Sequence, residues 1–191
     1  MTTGRLEAFT DAVIAIVITI LVLELKVPHE PELEALRGVV PVFLTYVLSF
    51  VYLGIYWNNH HHMMVLTERV NGKILWANLH LLFWLSLVPF TTAWMGETDF
   101  AATPTAVYGV DLLLAAIAYF ILQTAIIAEE GPDSRLRAAL GRDLKGKISP
   151  LLYFAAIPLA FVSPWIALAV YVFVALMWLV PDRRIESAVS E

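Results

Sequence analysis

Arg5, Glu7 and Asp11 stand within two helical turns of one another, at the mouth of an almost purely aliphatic run that continues to Val27. Ionisable groups at or inside a bilayer are costly to bury and mark either an ion path or a structural network. Two other places offer comparable chemistry. His60, His61 and His62 are consecutive, and Asp111 lies inside a long apolar stretch. Neutral-range titration makes a histidine a pH sensor or a metal ligand by type. Successive helical residues point about 100° apart, however, so three in a row cannot all reach one metal ion. Hydrogen bonding of His60 or His61 to the Thr10–Asp11 face is the reading that fits the geometry best. Trp76 and Asn78, which need hydrogen-bond partners if buried in lipid, are expected to join that scaffold. An unpaired Asp111 would be expensive, so a partner or a proton is expected there.

These residues must be positioned by membrane helices. The chain has 191 residues, of which 60% are hydrophobic and 15% charged, well away from an average soluble domain. No cysteine is present, which excludes disulfides and thiol chemistry. The net charge of −5 argues against a nucleic-acid surface. The N-terminal run has no basic leader or small-residue cleavage site and reads as a retained first helix. About 20 apolar residues span a bilayer, and six segments qualify or nearly do: roughly 5–27, 36–66, 73–95, 104–128, 148–162 and 165–180. The pattern predicts an all-α integral membrane protein of one domain over residues 1–191. Thr103-Pro104 reads as a cap followed by proline at the first helical position. Ser163-Pro164 reads as the turn of the last hairpin. The segment 133–147, with Leu136, Leu140 and Leu144 spaced by four, reads as an amphipathic helix at the cytoplasmic headgroups. Trp57, Trp94, Trp165 and Trp178 fall near span ends and read as interfacial anchors.

With six spans, ten of the twelve Lys and Arg residues fall on one side, Lys26 and Arg37 being the exceptions. The excess of basic residues on the inner side places both termini in the cytoplasm. The opposite loops carry Glu30, Glu32, Glu34, Glu97 and Asp99, and an acidic rim of this kind concentrates cations. No internal repeat of the sort that frames many transporters is visible.

At about 100° per residue, Ala12, Ile16, Thr19, Ile20, Leu23 and Val27 share one stripe of the first helix. Thr10 and Asp11 point about 120–140° away from Ile16. The polar face is therefore free to bind neighbouring helices, while the aliphatic face meets lipid or a symmetry axis. Aliphatic rings around an axis gate by dewetting.

Arg5-x-x-x-Phe9-Thr10-Asp11 resembles the R-x-x-x-F-S-D signature of the transmembrane protein 175 family of potassium channels, with Thr10 in place of Ser. The similarity continues in Tyr56-Trp57-Asn58-Asn59-His60-His61, and in Leu75-Trp76-Ala77-Asn78-Leu79 through Ser86-Leu87-Val88-Pro89-Phe90. The resemblance implies a six-span subunit, a homotetramer, and a central pore lined by the first helix without a TVGYG filter. It implies a constriction at Ile16, Ile20 and Leu23 and a selectivity hydroxyl at Thr19. Arg5, Phe9, Thr10, Asp11, His60, His61, Trp76 and Asn78 would form the network that braces the pore helix. The implied function is a potassium-permeable cation channel of the plasma membrane, with no enzymatic activity, no cofactor and no resident metal. Its partners would be further copies of itself, the lipid bilayer, and potassium with other monovalent cations or protons. Two alternatives use the same residues: a proton-coupled transporter built on Asp11, Asp111 and a histidine, and a metal-dependent enzyme built on the histidines. The second lacks a ligand set at workable spacing.

Overall fold

The computed structural model describes residues 2–141 and 143–179. Arg142, Arg183 and Arg184, which contribute to the charge argument, and the end of the last expected span at residue 180 lie outside them. Among the described residues the chain forms seven α-helices and two 3-10 turns, with no strand: α1 (Thr3–Leu23), α2 (Val40–Val65), α3 (Gly72–Glu97), α4 (Ala102–Glu130), α5 (Arg135–Leu140), α6 (Leu144–Leu159) and α7 (Pro164–Leu179). Four stretches are long and apolar enough to cross a membrane: Thr3–Leu23, Leu33–Val65, Gly72–Glu97 and Ala102–Asp133. Pro164–Leu179 is a shorter apolar helix.

The first helix ends at Leu23, one turn before the expected Val27. Glu24 and Lys26 fall at that point, and the Lys26 ammonium pairs with the Glu97 carboxylate at the end of α3. The pairing raises the Lys26 pKa above its ordinary value. The second span begins as a 3-10 turn, Leu33–Val39, before α2 proper. Pro41 sits in the first turn of α2, where its missing N–H has no partner to lose. Asn71 caps α3 by accepting from the Ile74 N–H at 3.0 Å.

Thr103 does not cap α4. The helix starts at Ala102 with Ala101 at the cap position and no side-chain cap bond. The reversal before it is made by Asp99 and Phe100, both left-handed (φ 48° and 59°), and closed by the Phe100 N–H on the Met95 carbonyl at 3.0 Å. This tight link starts the helix before the Thr-Pro signal is reached. The amphipathic segment 133–147 is likewise not one helix. Gly141, at φ 54°, ends α5, and Asp143 starts α6 by accepting from the Gly146 N–H at 3.1 Å. Leu136 is buried as expected, whereas Leu144 opens α6 and is 62% exposed. α6 and α7 are separate helices, with the Ser163 N–H on the Leu159 carbonyl at 2.9 Å in the turn between them.

Two cores share α4. The first joins α1, α2, α3, the later half of α4 and α5 through Ile14, Leu21, Leu53, Met63, Leu81, Leu85, Leu122 and Ile126. The second joins the early half of α4 to α6, α7 and α2 around Tyr52, Tyr108, Tyr153 and Tyr171, packed on Ala156, Ala160 and Ala167. Lipid is as apolar as leucine, so membrane helices associate through close packing at small residues and through hydrogen bonds. Gly109 shows how close the approach is: a Cβ there would lie 2.0 Å from the Tyr171 hydroxyl oxygen. That hydroxyl donates to the Thr105 carbonyl at 3.1 Å, one turn earlier on the same helix.

Candidate functional site

α1 presents two unlike faces. Leu6, Thr10, Ile14, Val17 and Leu21 recur at spacings of three and four and are buried against α2 and α3. On the other side Ile16 is 58%, Ile20 40% and Leu23 78% exposed. Thr19 shares the exposed face, and its hydroxyl donates to the Ile16 carbonyl at 2.8 Å.

The inward face is held by a directed chain of hydrogen bonds. The Thr10 hydroxyl donates to the Leu6 carbonyl at 3.1 Å. The Asn78 amide donates to the Thr10 oxygen at 2.9 Å. His60 Nε2 lies 2.9 Å from the Asn78 carbonyl oxygen. Because Thr10 already donates to its own helix, Asn78 must present its NH2 to Thr10 and its oxygen to His60. His60 then carries its proton on Nε2. Its Nδ1, which has no partner, is left as a bare acceptor, a smaller penalty than the orphaned N–H of the other tautomer. Thr10, His60 and Asn78 are all at most 1% exposed.

A second set of links lies toward the start of α1. His61 Nδ1 is 2.6 Å from the Glu7 carboxylate, and the Trp57 indole N–H donates to Asp11 at 3.0 Å. The rings of Trp57 and His61 stack, with centroids 6.5 Å apart. Both histidines are thus engaged with α1, His60 through Asn78 and His61 directly. Glu7 and Trp57 are network members outside the expected brace, and Trp57 is not merely an interfacial anchor. A signal for them was present. Glu7 and Asp11 are spaced by four on α1, as are Trp57 and His61 on antiparallel α2, so the two pairs can form matching rungs.

Not every expected member is brought in. Trp76 points outward and is 75% exposed. Its neighbour one turn on, His80, accepts from the Trp84 indole at 2.9 Å, so that face of α3 is occupied with itself. Asn78, about 200° round the helix from Trp76, takes the inward position alone. Arg5 and Phe9 lie on the exposed face of α1, Phe9 at 47%, and stand apart from the hydrogen-bond chain.

Asp111 is 4% exposed on α4. One carboxylate oxygen accepts from Thr91 at 3.1 Å, and the other has no partner. Beside it Ser49 joins Thr92 at 2.6 Å and Tyr108 at 3.0 Å. Among the described residues no three His, Cys, Asp or Glu side chains converge as metal ligands.

Comparison with known proteins bears on this arrangement. The family model described as "Endosomal/lysosomal potassium channel TMEM175" matches residues 5–89, the span that contains α1, α2, most of α3 and every network residue. A potassium channel of Chryseobacterium sp. is 53% identical over the full length of both chains. One from Chamaesiphon minutus is 32% identical over 88% of this chain and 89% of its own. The crystal structure of a lysosomal potassium-selective channel TMEM175 homolog from Chamaesiphon minutus superposes with a TM-score of 0.79 at 31% identity, covering 93% of this chain and 96% of the other. These relatives are named as channels, none as an enzyme. With full-length identity above one half and a matching fold, the protein belongs to the TMEM175 family.

Proposed function

We propose that the protein is a potassium-permeable cation channel in which four copies bring the exposed face of α1 to a common axis. The carrying observation is the division of α1. Thr10 and Asp11 are bonded to neighbouring helices while Ile16, Ile20 and Leu23 stand exposed. Around a fourfold axis these side chains would form stacked aliphatic rings, closed to ions by dewetting, with Thr19 between them. No TVGYG sequence is present, so such rings would take the place of a carbonyl filter. The remaining features of the proposal are six crossings per subunit, with α6 and α7 as the short fifth and sixth, both termini in the cytoplasm, and residence in the plasma membrane. The excess of basic residues on one side supports that orientation.

Purified protein in liposomes should pass potassium down its electrochemical gradient with no requirement for a proton gradient. Ile16→Asn should raise the flux by wetting the narrowest ring, and an unchanged flux would remove Ile16 from the gate. Asp11→Ala, which leaves the Trp57 indole unpartnered, should lower the yield of intact oligomer more than it changes selectivity.

One observation favours a second reading. Asp111 is buried with one oxygen unpartnered, as a proton-coupled transporter would require. Under that reading potassium movement stops when the proton gradient is collapsed, and Asp111→Asn abolishes it.

A further inference from the structure

Between α2, α3 and α4 lies a polar cluster that the brace on α1 does not use: Ser49, Thr91, Thr92 and Tyr108, with Asp111 among them. All are at most 4% exposed. Asp111 stands well inside α4, and Thr91 lies just past Pro89 within α3. The proline ring removes an N–H from the α3 ladder at this point.

The direction of each hydrogen bond follows from where the threonines spend their single proton. Thr92 donates to the Val88 carbonyl at 2.6 Å. It therefore accepts from Ser49 at 2.6 Å, and Ser49 in turn accepts from Tyr108 at 3.0 Å. Thr10 follows the same rule, donating to the Leu6 carbonyl and accepting from Asn78. Thr91 has the Val88 and Leu87 carbonyls of its own helix within reach, at 3.2 and 3.4 Å. Across the interface it meets Asp111 Oδ2 at 3.1 Å. A helical Thr that spends its proton on its own backbone offers that oxygen a lone pair, and only a donor can meet a lone pair.

The charge balance points the same way. Among the described residues Asp111 forms no ion pair, and Oδ1 has no hydrogen-bond partner. The titratable side chains that feel its charge are the phenols of Tyr108 on α4 and Tyr56 on α2, and a phenol supplies no positive charge. An ionised carboxylate here would hold one hydrogen bond and no counter-charge within a lipid-embedded bundle. Acids buried in that way keep their proton. With the proton on Oδ2, Asp111 donates to Thr91. Oδ1 is then a plain carbonyl oxygen, the least costly kind of polar atom to leave unpaired.

We propose that Asp111 holds a resident proton and works as a neutral latch, its carboxylic acid donating to Thr91 and tying α4 to α3 beside Pro89. The ligand of this site is a proton, not a permeant cation. The assignment rests on neither the channel nor the transporter reading.

Infrared spectroscopy on the full-length protein tests it. The protein is purified in dodecyl maltoside, which has no ester carbonyl to cover the carboxylic-acid region. Spectra are taken at neutral pH, where exposed carboxyls are ionised. The parent should show an acid carbonyl band worth a single carboxyl per chain. That band should shift when aspartate is labelled with heavy carbon in its carboxyl, and should vanish in Asp111→Asn. Thr91→Val removes the acceptor and keeps the acid, so the band should persist and move to higher frequency as the O–H is freed. This variant, with the label, decides the matter should Asp111→Asn fail to fold. A parent spectrum without an aspartate acid band overturns the assignment. So does a band that survives Asp111→Asn, or any outcome for Thr91→Val other than a shifted band.

Discussion

Asn78 joins α1, α2 and α3 through two hydrogen bonds made by a single side chain. Both partners, Thr10 and His60, are buried, so Asn78→Ala orphans the His60 Nε2–H, while Thr10 keeps its bond to the Leu6 carbonyl. Leaving a buried polar group unsatisfied costs about 1–3 kcal/mol. Thermal unfolding in detergent should show a clear loss for Asn78→Ala and for His60→Ala. The double variant should lose less than the sum, because each single change already breaks the shared bond. Trp76→Ala removes an outward ring and should leave the melting temperature close to that of the parent. Thr19 differs in kind from these residues, since its side chain faces out of the subunit. Thr19→Val preserves shape while removing the hydroxyl. Measured as reversal potentials under potassium and sodium, it should reduce the preference for potassium if Thr19 lies in the ion path.

At the scale of elements, α4 is the spine on which both cores depend, and its contact with α7 leaves no room for a methyl group at Gly109. The obstructing atom is the Tyr171 hydroxyl, itself bonded to Thr105 of α4. Gly109→Ala must therefore either separate the helices or break that bond. Overpacking of this sort costs about 1–3 kcal/mol, and the melting temperature should fall accordingly. Gly109→Ala combined with Tyr171→Phe should recover part of the loss. Much of this level was legible in the sequence. The long apolar runs gave α1 to α4 to within a few residues, and helical angles separated the Thr10 face of α1 from the Ile16 face. The errors cluster where long-range contacts override a local signal. Lys26 pairs with Glu97 of α3 just past the end of α1 at Leu23. The left-handed pair Asp99–Phe100 starts α4 ahead of Thr103-Pro104. Trp76 and Asn78 could not be ranked from sequence, because which of two faces of α3 meets α1 is decided by packing. Glu7 escaped the motif for the same reason, its partner His61 lying 54 positions away.

Across the whole molecule, α1 exposes an aliphatic stripe, which either lipid or further copies of the chain would cover. The absence of cysteine makes this directly testable, since any introduced thiol is the sole thiol. Leu23→Cys should form an inter-subunit disulfide or block potassium flux on reaction with a water-soluble thiol reagent. A lipid-facing Leu23 would do neither. One detail of α1 then acquires a wider meaning. The Thr19 proton is committed to the Ile16 carbonyl of its own helix, so the hydroxyl turns only lone pairs outward. Repeated around an axis, four such oxygens would make a collar with no hydrogen to offer. Chloride, which needs donors in exchange for its water, would find none there, so the collar would exclude anions without any charged residue in the passage.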